Sequence, residues 1–334
     1  MYELLLDEIW KLQRLFRRKL RLIKLKKISI STSKEPVGFY EIEFYCNGNL
    51  TFDNYKKNIN PVRRVLRIKD ICLNPKTGIA WYKKFIIEES SNWPIDKLLL
   101  WEPRPLLCQS LDYKVVNLPD NGFYHFLIED LPRFLEIYEK NSSHVTVIGS
   151  ESRYVLEVLD FLNITNYVSK FSPIKCRELL LSEKSLGGIF EKSDHKLLQR
   201  IFADIEPSKA DKPIFISRRN KSKGYLDRGI QYSDLLEKKL SNCGFITVYL
   251  EELSFIEQVS LIKSTNTVVG FHGAGLANIV WLNSNAKVIE ISETRKTSHF
   301  EHISSVCKVQ YGRFMASKLV NLNESEILDL ISRV

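Results

Sequence analysis

The sequence predicts an α/β fold whose C-terminal half contains a doubly wound parallel sheet. Short apolar runs alternate there with helical patterns, and only a few residues connect one element to the next. A glycine-rich turn at 272–275 separates one apolar run from the helical pattern that follows it. Parallel strands need crossover connections, and alternating units of this kind build a sheet with helices on both faces.

The elements of the C-terminal half have clear boundaries. Strands are predicted at 213–217, 245–249, 267–271 and 287–291. A first helix begins at Ser233 and stops before Gly244, a residue suited to a helix end. Ser254 and Glu257 form a capping box at the start of a second helix. A third helix is predicted over 276–282, directly after the glycine turn.

The N-terminal half has a less regular pattern, which predicts a second α/β region. Strands are expected at 39–46, 79–87, 145–149 and 178–182. Asn121 is the predicted cap of a helix that runs to about residue 140 with a kink at Pro132. Further helices are expected to end near 163 and to begin at Ser193. Residues 93–105 carry three prolines and predict an extended loop.

A domain boundary is predicted at 205–213, where two prolines and several charges occur together. We therefore expect one domain at 31–208 and a second at 209–318. The remaining segment, 319–334, contains a predicted helix that begins near Asn323, with Glu326 at its third position. This helix is expected to pack back on the first domain.

The basic character of the chain is concentrated near its N-terminus. Residues 9–28 hold nine basic residues and no acidic one, and in the rest of the chain the basic and acidic residues balance, so this segment carries the net charge of +9. Its apolar residues recur at helical spacing, which favours an amphipathic helix at 1–30 on an anionic membrane surface. A helix packed on its own protein is one alternative. Contact with nucleic acid is another, although no basic-aromatic surface elsewhere supports it.

Other classes of protein are disfavoured by simple absences in the sequence. No apolar run reaches the roughly 18 residues of a transmembrane helix, and the N-terminus lacks the features of a secretory signal. The six cysteines are scattered without a Cys-x-x-Cys pair, which indicates free thiols in a reducing compartment. We therefore expect a cytoplasmic protein, bound peripherally to the inner face of a membrane.

Five blocks of the sequence resemble glycosyltransferase family 61 in the family's order. They are NGFYHFLIEDLPRF at 121–134, ISRR at 216–219, LEELSFIEQV at 250–259, VVGFHGAGLANIVW at 268–281 and VIEI at 288–291. The resemblance implies a GT-B fold, in which two Rossmann-like domains face each other across a cleft. It also implies an inverting transferase that moves a sugar from a nucleotide sugar, usually a UDP-sugar, to a hydroxyl of a saccharide or lipid-linked acceptor.

On this resemblance, 31–208 is the acceptor-side domain and 209–318 binds the nucleotide sugar, with no essential metal or other cofactor. The sequence agrees on the metal, since it contains no Asp-x-Asp pair of the kind that holds a metal against a diphosphate. One departure is visible. The family's Arg-x-x-Asn-Glu element is replaced by RGIQYSD at 228–234, which leaves the role of Arg228 open.

The expected donor site combines arginines with the glycine turn. Arginine offers planar donors to phosphate, the start of a helix offers free N–H groups, and glycine permits positive φ and close approach of a ligand. His272 is expected to contact the ligand or to fix the turn. Glu290 is expected to accept from ribose hydroxyls or to pair with a buried cation. The predicted donor contacts are Arg218, Arg219, His272, Gly273, Ala274, Gly275, Leu276, Asn278 and Glu290, of which Asn278 has packing or capping as its alternative role.

The predicted base lies on the helix that follows Asn121. His125, Glu129 and Arg133 occur at i, i+4 and i+8, and spacing alone favours a solvated, salt-bridged face. The family resemblance favours a general base there, either His125 or Glu129. Asp130 and Asp112 are the reserve candidates.

Two alternative functions are also compatible with the sequence. The missing Asn-Glu element suggests a non-catalytic nucleotide-sugar-binding partner in a polysaccharide assembly complex. The other alternative is a nucleotide-sugar epimerase or hydrolase of GT-B shape. His299 and His302 lie three residues apart without other ligands nearby, which favours a structural or acceptor-side pair over a metal site.

Overall fold

The chain forms a mixed α/β structure with two sheets, each containing parallel strand pairs. The computed structural model describes residues 26–28, 39–47, 62–82, 85–87, 90, 108–141, 145–165, 167–169, 173–182, 190–209, 211–218, 228–293 and 298–334. Two compact units divide the chain, Met1–Ile189 and Phe190–Val334. The sequence predicts a domain boundary at 208/209 instead, and the bounds of the predicted domains stay a prediction.

The first unit is built on a mixed sheet, to which the described residues contribute nine strands. They are β1 (Lys26–Ile28), β2 (Phe39–Asn47), β3 (Val62–Leu73), β4 (Ala80–Tyr82), β5 (Phe85–Ile87), β6 (Gln109–Leu118), β7 (Thr146–Gly149), β8 (Tyr167–Ser169) and β9 (Ile174–Ser182). Their order is β1-β5-β4-β3-β9-β6-β7-β8, and β2 pairs with β3. The neighbours β9, β6, β7 and β8 pair in parallel, whereas β3 is antiparallel to β9.

Several elements of the first unit differ from the sequence-based expectations. The long strands β3 and β6 were not predicted, and the single strand expected at 79–87 is the antiparallel pair β4 and β5. The prediction of a helix over 1–30 is wrong near its C-terminal end, because Lys26–Ile28 form a strand that pairs with β5. The rest of that predicted helix and the predicted loop at 93–105 lie outside the described residues.

The helix predicted after Asn121 consists of three consecutive segments. They are α1 (Phe123–His125), a π-helical segment (Phe126–Asp130) and α2 (Leu131–Asn141). In the π-helical segment the Leu131 N–H donates to the carbonyl oxygen of Phe126, five residues back. This wider turn lies immediately before Pro132, which has no N–H and cannot continue the α-helical hydrogen bonds. Helix α3 (Arg153–Phe161) follows β7.

Asn121 does not cap α1, contrary to the prediction. The N-cap residue is Gly122, with φ of 97°, which has no side chain to cap the helix and whose own N–H donates to Oδ1 of Asp120 at 2.9 Å. The side-chain amide of Asn121 instead donates to the carbonyl oxygen of Thr77 at 3.2 Å and to Oδ2 of Asp130 at 3.1 Å. Asn121 therefore joins the loop before β4 to the π-helical segment.

The second unit contains a parallel sheet, as the sequence predicted. Its described strands are β10 (Ile214–Ile216), β11 (Ile246–Val248), β12 (Thr267–Phe271), β13 (Lys287–Ile291) and β14 (Gln310–Phe314), in the order β11-β10-β12-β13-β14. All four neighbouring pairs are parallel. The first four strands correspond to the predicted ones, and β14 was not predicted.

Helices flank this sheet. They are α4 (Lys192–Ile201), α5 (Ser233–Asn242), α6 (Phe255–Lys263), α7 (His299–Cys307), α8 (Ala316–Leu319) and α9 (Glu324–Ser332), with 3₁₀ segments at Ile230–Tyr232, Leu250–Glu252 and Ala274–Trp281. The capping box of α6 is present: the Glu257 N–H donates to Oγ of Ser254, and the Ser254 N–H donates to Oε2 of Glu257. The predicted third helix is the 3₁₀ segment Ala274–Trp281 rather than an α-helix. Among the described helices, none has the length and apolar character needed to cross a membrane.

The C-terminal helix α9 packs within the second unit. Ile327 is buried in the same apolar cluster as Phe215 of β10 and Val269 of β12. The ammonium of Lys287 donates to the carbonyl oxygens of Ile331 at 3.0 Å and Ser332 at 2.7 Å, and so holds the last turn of the helix. The sequence placed this helix against the first domain, whereas these contacts are with the parallel sheet of the second unit.

Gly229 and Gly244 provide a matched pair of substitutions in the second unit. Both have positive φ, 76° and 86°, so substitution by alanine should lower the free energy of unfolding by about 1–2 kcal/mol at either position. At Gly229 a Cβ would lie 2.4 Å from Cβ of Ala316, whereas at Gly244 no atom lies within 4 Å. We therefore expect Gly229→Ala to lower the free energy of unfolding by a further ~1–3 kcal/mol relative to Gly244→Ala in urea titrations. Equal losses for the two variants would contradict this packing.

Candidate functional site

The candidate site of the second unit lies at the carboxyl edge of the parallel sheet. In the register of the strands, Ile216 of β10 pairs with Gly270 of β12, and Gly270 pairs with Glu290 of β13. Arg218 and the turn 272–275 therefore leave the sheet at the same edge. Ligands of parallel α/β sheets bind beyond this edge.

Arg218 and Gly273 are in direct contact at this edge. A Cβ added to Gly273 would lie 1.6 Å from Nη2 and 2.7 Å from Cζ of Arg218. The guanidinium group therefore occupies the space where any other residue at 273 would place its side chain. The φ of Gly273 is 165°, an extended conformation that all residues adopt. The expectation of positive φ in the turn is wrong, and glycine is needed at 273 because of the close approach of Arg218.

Asn278 holds the turn from behind. Its side chain is fully buried, and its amide donates to Oε1 of Gln258 at 3.0 Å and to the carbonyl oxygen of Gly275 at 3.2 Å. Gln258 in turn donates to the carbonyl oxygen of Leu250 at 3.0 Å. These bonds are the packing role that the sequence gave as the alternative for Asn278. The predicted ligand contact of Asn278 stays a prediction.

His272 forms a buried pair with Glu290. Its Nδ1 lies 2.6 Å from Oε1 of Glu290, a residue with no exposed surface, and His272 itself is 5% exposed. The other carboxylate oxygen, Oε2, accepts from the hydroxyl of Tyr311 and from Nη2 of Arg313, the latter at 3.2 Å. Both oxygens of Glu290 are therefore hydrogen-bonded by protein groups. The predicted pairing of Glu290 with a cation is present, although that cation, Arg313, is partly exposed rather than buried.

The network around Glu290 keeps its carboxylate ionised. Burial by itself acts to raise the pKa of Glu290, but the hydrogen bonds from His272 and Tyr311 and the positive charge of Arg313 lower the pKa on balance. The negative charge of Glu290 likewise raises the pKa of Arg313, against the opposing effect of burial. An ionised carboxylate only accepts hydrogen bonds, so Nδ1 of His272 carries the proton that joins the pair.

Tyr311 and Arg313 join the hydrogen-bond network of Glu290, and neither was among the predicted site residues. Both lie on β14, two residues apart, and Arg313 is in register with Glu290 on the neighbouring strand β13. Burial and the neighbouring Glu290 raise the pKa of Tyr311, so its phenol remains a hydrogen-bond donor. The sequence offers only one signal for them: Tyr311 and Arg313 are two residues apart, the spacing at which side chains share one face of a strand, but no strand was predicted there.

The first unit contains a second imidazole-carboxylate pair. Nδ1 of His125 lies 2.9 Å from Oε1 of Glu129, across the junction between α1 and the π-helical segment. The side chain of His125 is 28% exposed, and that of Glu129 is only 2% exposed. Burial, together with the charge of Glu129, raises the pKa of the adjacent Tyr124. Arg133 is also buried, so the i, i+4, i+8 set is not the solvated face that spacing alone favoured.

The remaining predicted site residues are placed as follows. Asp130 is buried and accepts from Asn121, whereas Asp112 on β6 is exposed and lies 3.5 Å from Nη1 of Arg177. Arg228 is half-buried beside Gly229, and Arg219 lies outside the described residues.

The histidine pair on α7 includes a structural residue. Nε2 of His302 donates to the carbonyl oxygen of Phe190 at 2.7 Å, and burial lowers the pKa of this imidazole. His302 therefore ties α7 to the start of the second unit. Within the described ranges, no group of three or more His, Cys, Asp or Glu residues is arranged to hold a metal ion.

The chain matches one protein-family model, which is described as Glycosyltransferase 61. The match covers residues 123–289, half of the chain. It spans both the His125–Glu129 pair of the first unit and the Arg218–Gly273 contact of the second. A search of curated proteins finds no significant match.

The Glu290 network predicts a pH-dependent contribution to stability. The pKa of Glu290 is lower in the folded protein than in the unfolded chain. The stabilisation from this carboxylate is therefore complete above its unfolded pKa of about 4.3, and it is lost as the pH falls through its folded pKa. We expect Glu290→Gln to cost ~3–5 kcal/mol of unfolding free energy at pH 7, because it leaves buried partners uncompensated. The difference from wild type should shrink in urea titrations at pH 4 and below.

The exposed residue Glu301 on α7 supplies the control for this measurement. Glu301→Gln should change the unfolding free energy little at either pH. A wild-type advantage over Glu290→Gln that stays constant from pH 7 to pH 3 would contradict the ionised network.

Proposed function

Because the chain belongs to glycosyltransferase family 61 and is therefore a glycosyltransferase, we propose that it moves a sugar from a UDP-sugar to a hydroxyl of a saccharide or lipid-linked acceptor, with inversion and without a metal ion. The GT-B arrangement implied by the family resemblance is part of the proposal. The observation that carries it is the contact between Arg218 and Gly273 at the carboxyl edge of the second sheet.

Arg218 and the start of the 3₁₀ segment would stabilise the leaving diphosphate. A guanidinium presents several N–H donors in one plane, which suits phosphate oxygens. The first N–H groups of a helical segment have no acceptor inside that segment, and here they begin at Ala274, next to the arginine. Donors aimed at charge that develops in the transition state contribute about 3–4 kcal/mol each. Arg219 is the second cation that we assign to this site.

We assign His272 to the donor site and Glu290 to the positioning of His272. The ionised carboxylate fixes Nδ1 as the protonated nitrogen, so Nε2 is the nitrogen that remains for a ligand. Tyr311 and Arg313 hold the carboxylate from its other side. This arrangement replaces the ribose contact first expected for Glu290, whose oxygens are already bonded.

We assign His125 as the general base and Glu129 as the residue that orients it. Inverting transfer needs a group that takes the proton of the acceptor hydroxyl. Glu129 is buried and its Oε1 holds Nδ1 of His125, whereas the imidazole is partly exposed. Nε2 of His125 is therefore the atom that would accept the proton. Asp130, which accepts from Asn121, stays the reserve candidate.

Family membership favours this reading over the two alternatives drawn from the sequence. A non-catalytic binding partner would bind UDP-sugars without releasing UDP. An epimerase or hydrolase of a nucleotide sugar would give an isomerised or free sugar without an acceptor. Product analysis of a single reaction with a saccharide acceptor separates all three.

The metal-independent role of Arg218 is tested by UDP release from a panel of UDP-sugars in the presence of EDTA. We expect the wild-type rate to be unchanged by EDTA. The Arg218→Ala rate should be lower than the wild-type rate by a factor of about 100 or more. Arg333→Ala, which removes an exposed arginine paired with Asp329, should keep the wild-type rate. A rate that depends on added Mn²⁺, or full activity in Arg218→Ala, would contradict the proposal.

The contact of Arg218 with Gly273 is tested by alanine at each glycine of the turn. Gly273→Ala must displace the guanidinium, so we expect UDP affinity measured by calorimetry to fall roughly 10- to 100-fold, as for the loss of a charge-assisted hydrogen bond. A Cβ at Gly275 would come no closer than 3.3 Å, to Cγ2 of Ile216, and leaves Arg218 in place. Gly275→Ala should therefore bind UDP more tightly than Gly273→Ala, and the reverse order would count against the contact.

We also propose that the basic N-terminal segment brings the chain to an anionic membrane surface. Near such a surface each Lys or Arg contributes about 1 kcal/mol. In vesicle flotation, the full chain should float with vesicles containing phosphatidylglycerol and not with neutral vesicles. The full-length double variant Arg17→Glu, Arg18→Glu should float markedly less. Equal recovery of the two proteins with anionic vesicles would remove the membrane proposal.

A further inference from the structure

A small, mostly apolar cavity with a few polar lining groups lies in the first unit, next to the π-helical segment that carries Glu129. Its volume is about 30 Å³. Asn117 of β6, Ser182 at the end of β9, and Asp130 and Arg133 of the helical segments contribute its polar lining. Gly78, Pro119 and apolar residues of β3, β9 and α2 form the remainder of the wall. The cavity therefore adjoins the segment of the proposed base.

The cavity lies where the strand order of the first sheet reverses. From β6 the chain proceeds outward to β7 and β8, and it then returns to place β9 on the opposite side of β6. All three pairs of this part of the sheet, β9–β6, β6–β7 and β7–β8, are parallel. Parallel α/β sheets bind ligands beyond the carboxyl ends of the two strands at such a reversal, here β6 and β9. Asn117 and Ser182 are located at those two ends.

Two polar atoms of the lining lack a protein partner. Within the described ranges, neither Oγ of Ser182 nor Oδ1 of Asn117 has a hydrogen bond. Ser182 is only 4% exposed, and the amide of Asn117 donates to the carbonyl oxygen of Pro75 at 3.2 Å, which fixes its orientation. Buried polar atoms without partners are costly and rare, so these two atoms point to a bound group.

We propose that this cavity binds one hydroxyl oxygen, supplied by a water molecule or by a saccharide. Oδ1 of Asn117 can only accept a hydrogen bond, and Oγ of Ser182 can donate one. Because both residues line the same cavity, a single O–H group can serve both by donating to Asn117 and accepting from Ser182. The volume exceeds the roughly 10–15 Å³ that one water needs, and it is too small for a whole sugar ring.

The two sources of the hydroxyl differ in what they depend on. A bound water requires only the cavity and its two polar atoms. A saccharide hydroxyl rests on the proposed function, because it makes the cavity a subsite for the acceptor beside the proposed base. Either source provides an O–H group that makes the same two hydrogen bonds, and the crystal experiment below distinguishes the two sources.

Crystals of the full chain at a resolution that shows waters provide the direct test. One set is grown without polyols, and a second is soaked in glucose. Density for one oxygen atom within hydrogen-bond distance of Asn117 Oδ1 and Ser182 Oγ is the expected result. Water in both sets assigns the site to water, and a glucose hydroxyl in the second set assigns it to a saccharide. An empty cavity in both sets overturns the proposal.

Stability measurements test the same site in solution and do not depend on glycosyl transfer. If Ser182 Oγ holds a bound oxygen, Ser182→Ala loses that hydrogen bond, and its urea midpoint falls below that of wild type. Ser304 on α7 is the matched control, because its Oγ is also buried without a partner in the described residues but does not line this cavity. Ser304→Ala should leave the midpoint unchanged or raise it. A midpoint for Ser182→Ala at or above wild type would contradict the proposal.

Discussion

The contact of the Arg218 guanidinium with the Cα of Gly273 is the constraint on which the candidate donor site depends. It brings a permanent positive charge to the turn from which the 3₁₀ segment Ala274–Trp281 begins. The parallel register of β10 with β12 makes the contact possible, because it delivers both residues to the same edge of the sheet. Asn278 and Gln258 then hold the turn from inside the protein, so the position of Gly273 is fixed by packing rather than by unusual backbone angles.

Each unit orients an imidazole with a buried carboxylate, but the two pairs differ in exposure. Glu290 and Glu129 are both buried and bond Nδ1 of their histidines, at 2.6 and 2.9 Å. His272 is almost fully buried, and the network of Tyr311 and Arg313 fixes its partner. His125 is more exposed, which suits a group that exchanges protons during turnover. The same histidine–glutamate arrangement therefore suits a fixed ligand contact in the second unit and an acid-base role in the first.

The sequence predicted the elements whose signals are local. The bounds of β12 and β13 and the capping box of α6 follow from short apolar runs and from the Ser254–Glu257 spacing. Strands β3, β6 and β14 were missed, because they carry polar or exposed residues and because their pairing depends on segments distant in the chain. The π-helical segment was predicted only as a kink at Pro132, since its hydrogen-bond pattern is set by the surrounding structure.

The candidate site shows the same division between local and distant signals. The motifs predicted that Arg218, His272 and Glu290 belong to one site. The bond between His272 and Glu290 required the register of two strands, and the roles of Tyr311 and Arg313 required a strand that had no predicted counterpart. Gly273 was predicted for positive φ and for close approach of a ligand, and the structure shows an extended φ and the close approach of a protein side chain, Arg218. Such reasons depend on which side chain occupies neighbouring space, and sequence spacing does not contain that information.

The position of bound UDP is the decisive test of the proposed donor site. In a crystal of the full chain soaked with UDP and EDTA, we expect diphosphate oxygens within hydrogen-bond distance of the Arg218 guanidinium and of the backbone N–H groups at the start of the Ala274–Trp281 segment. UDP bound with its diphosphate away from Arg218, or bound only after a divalent metal ion is added, would contradict the proposed site.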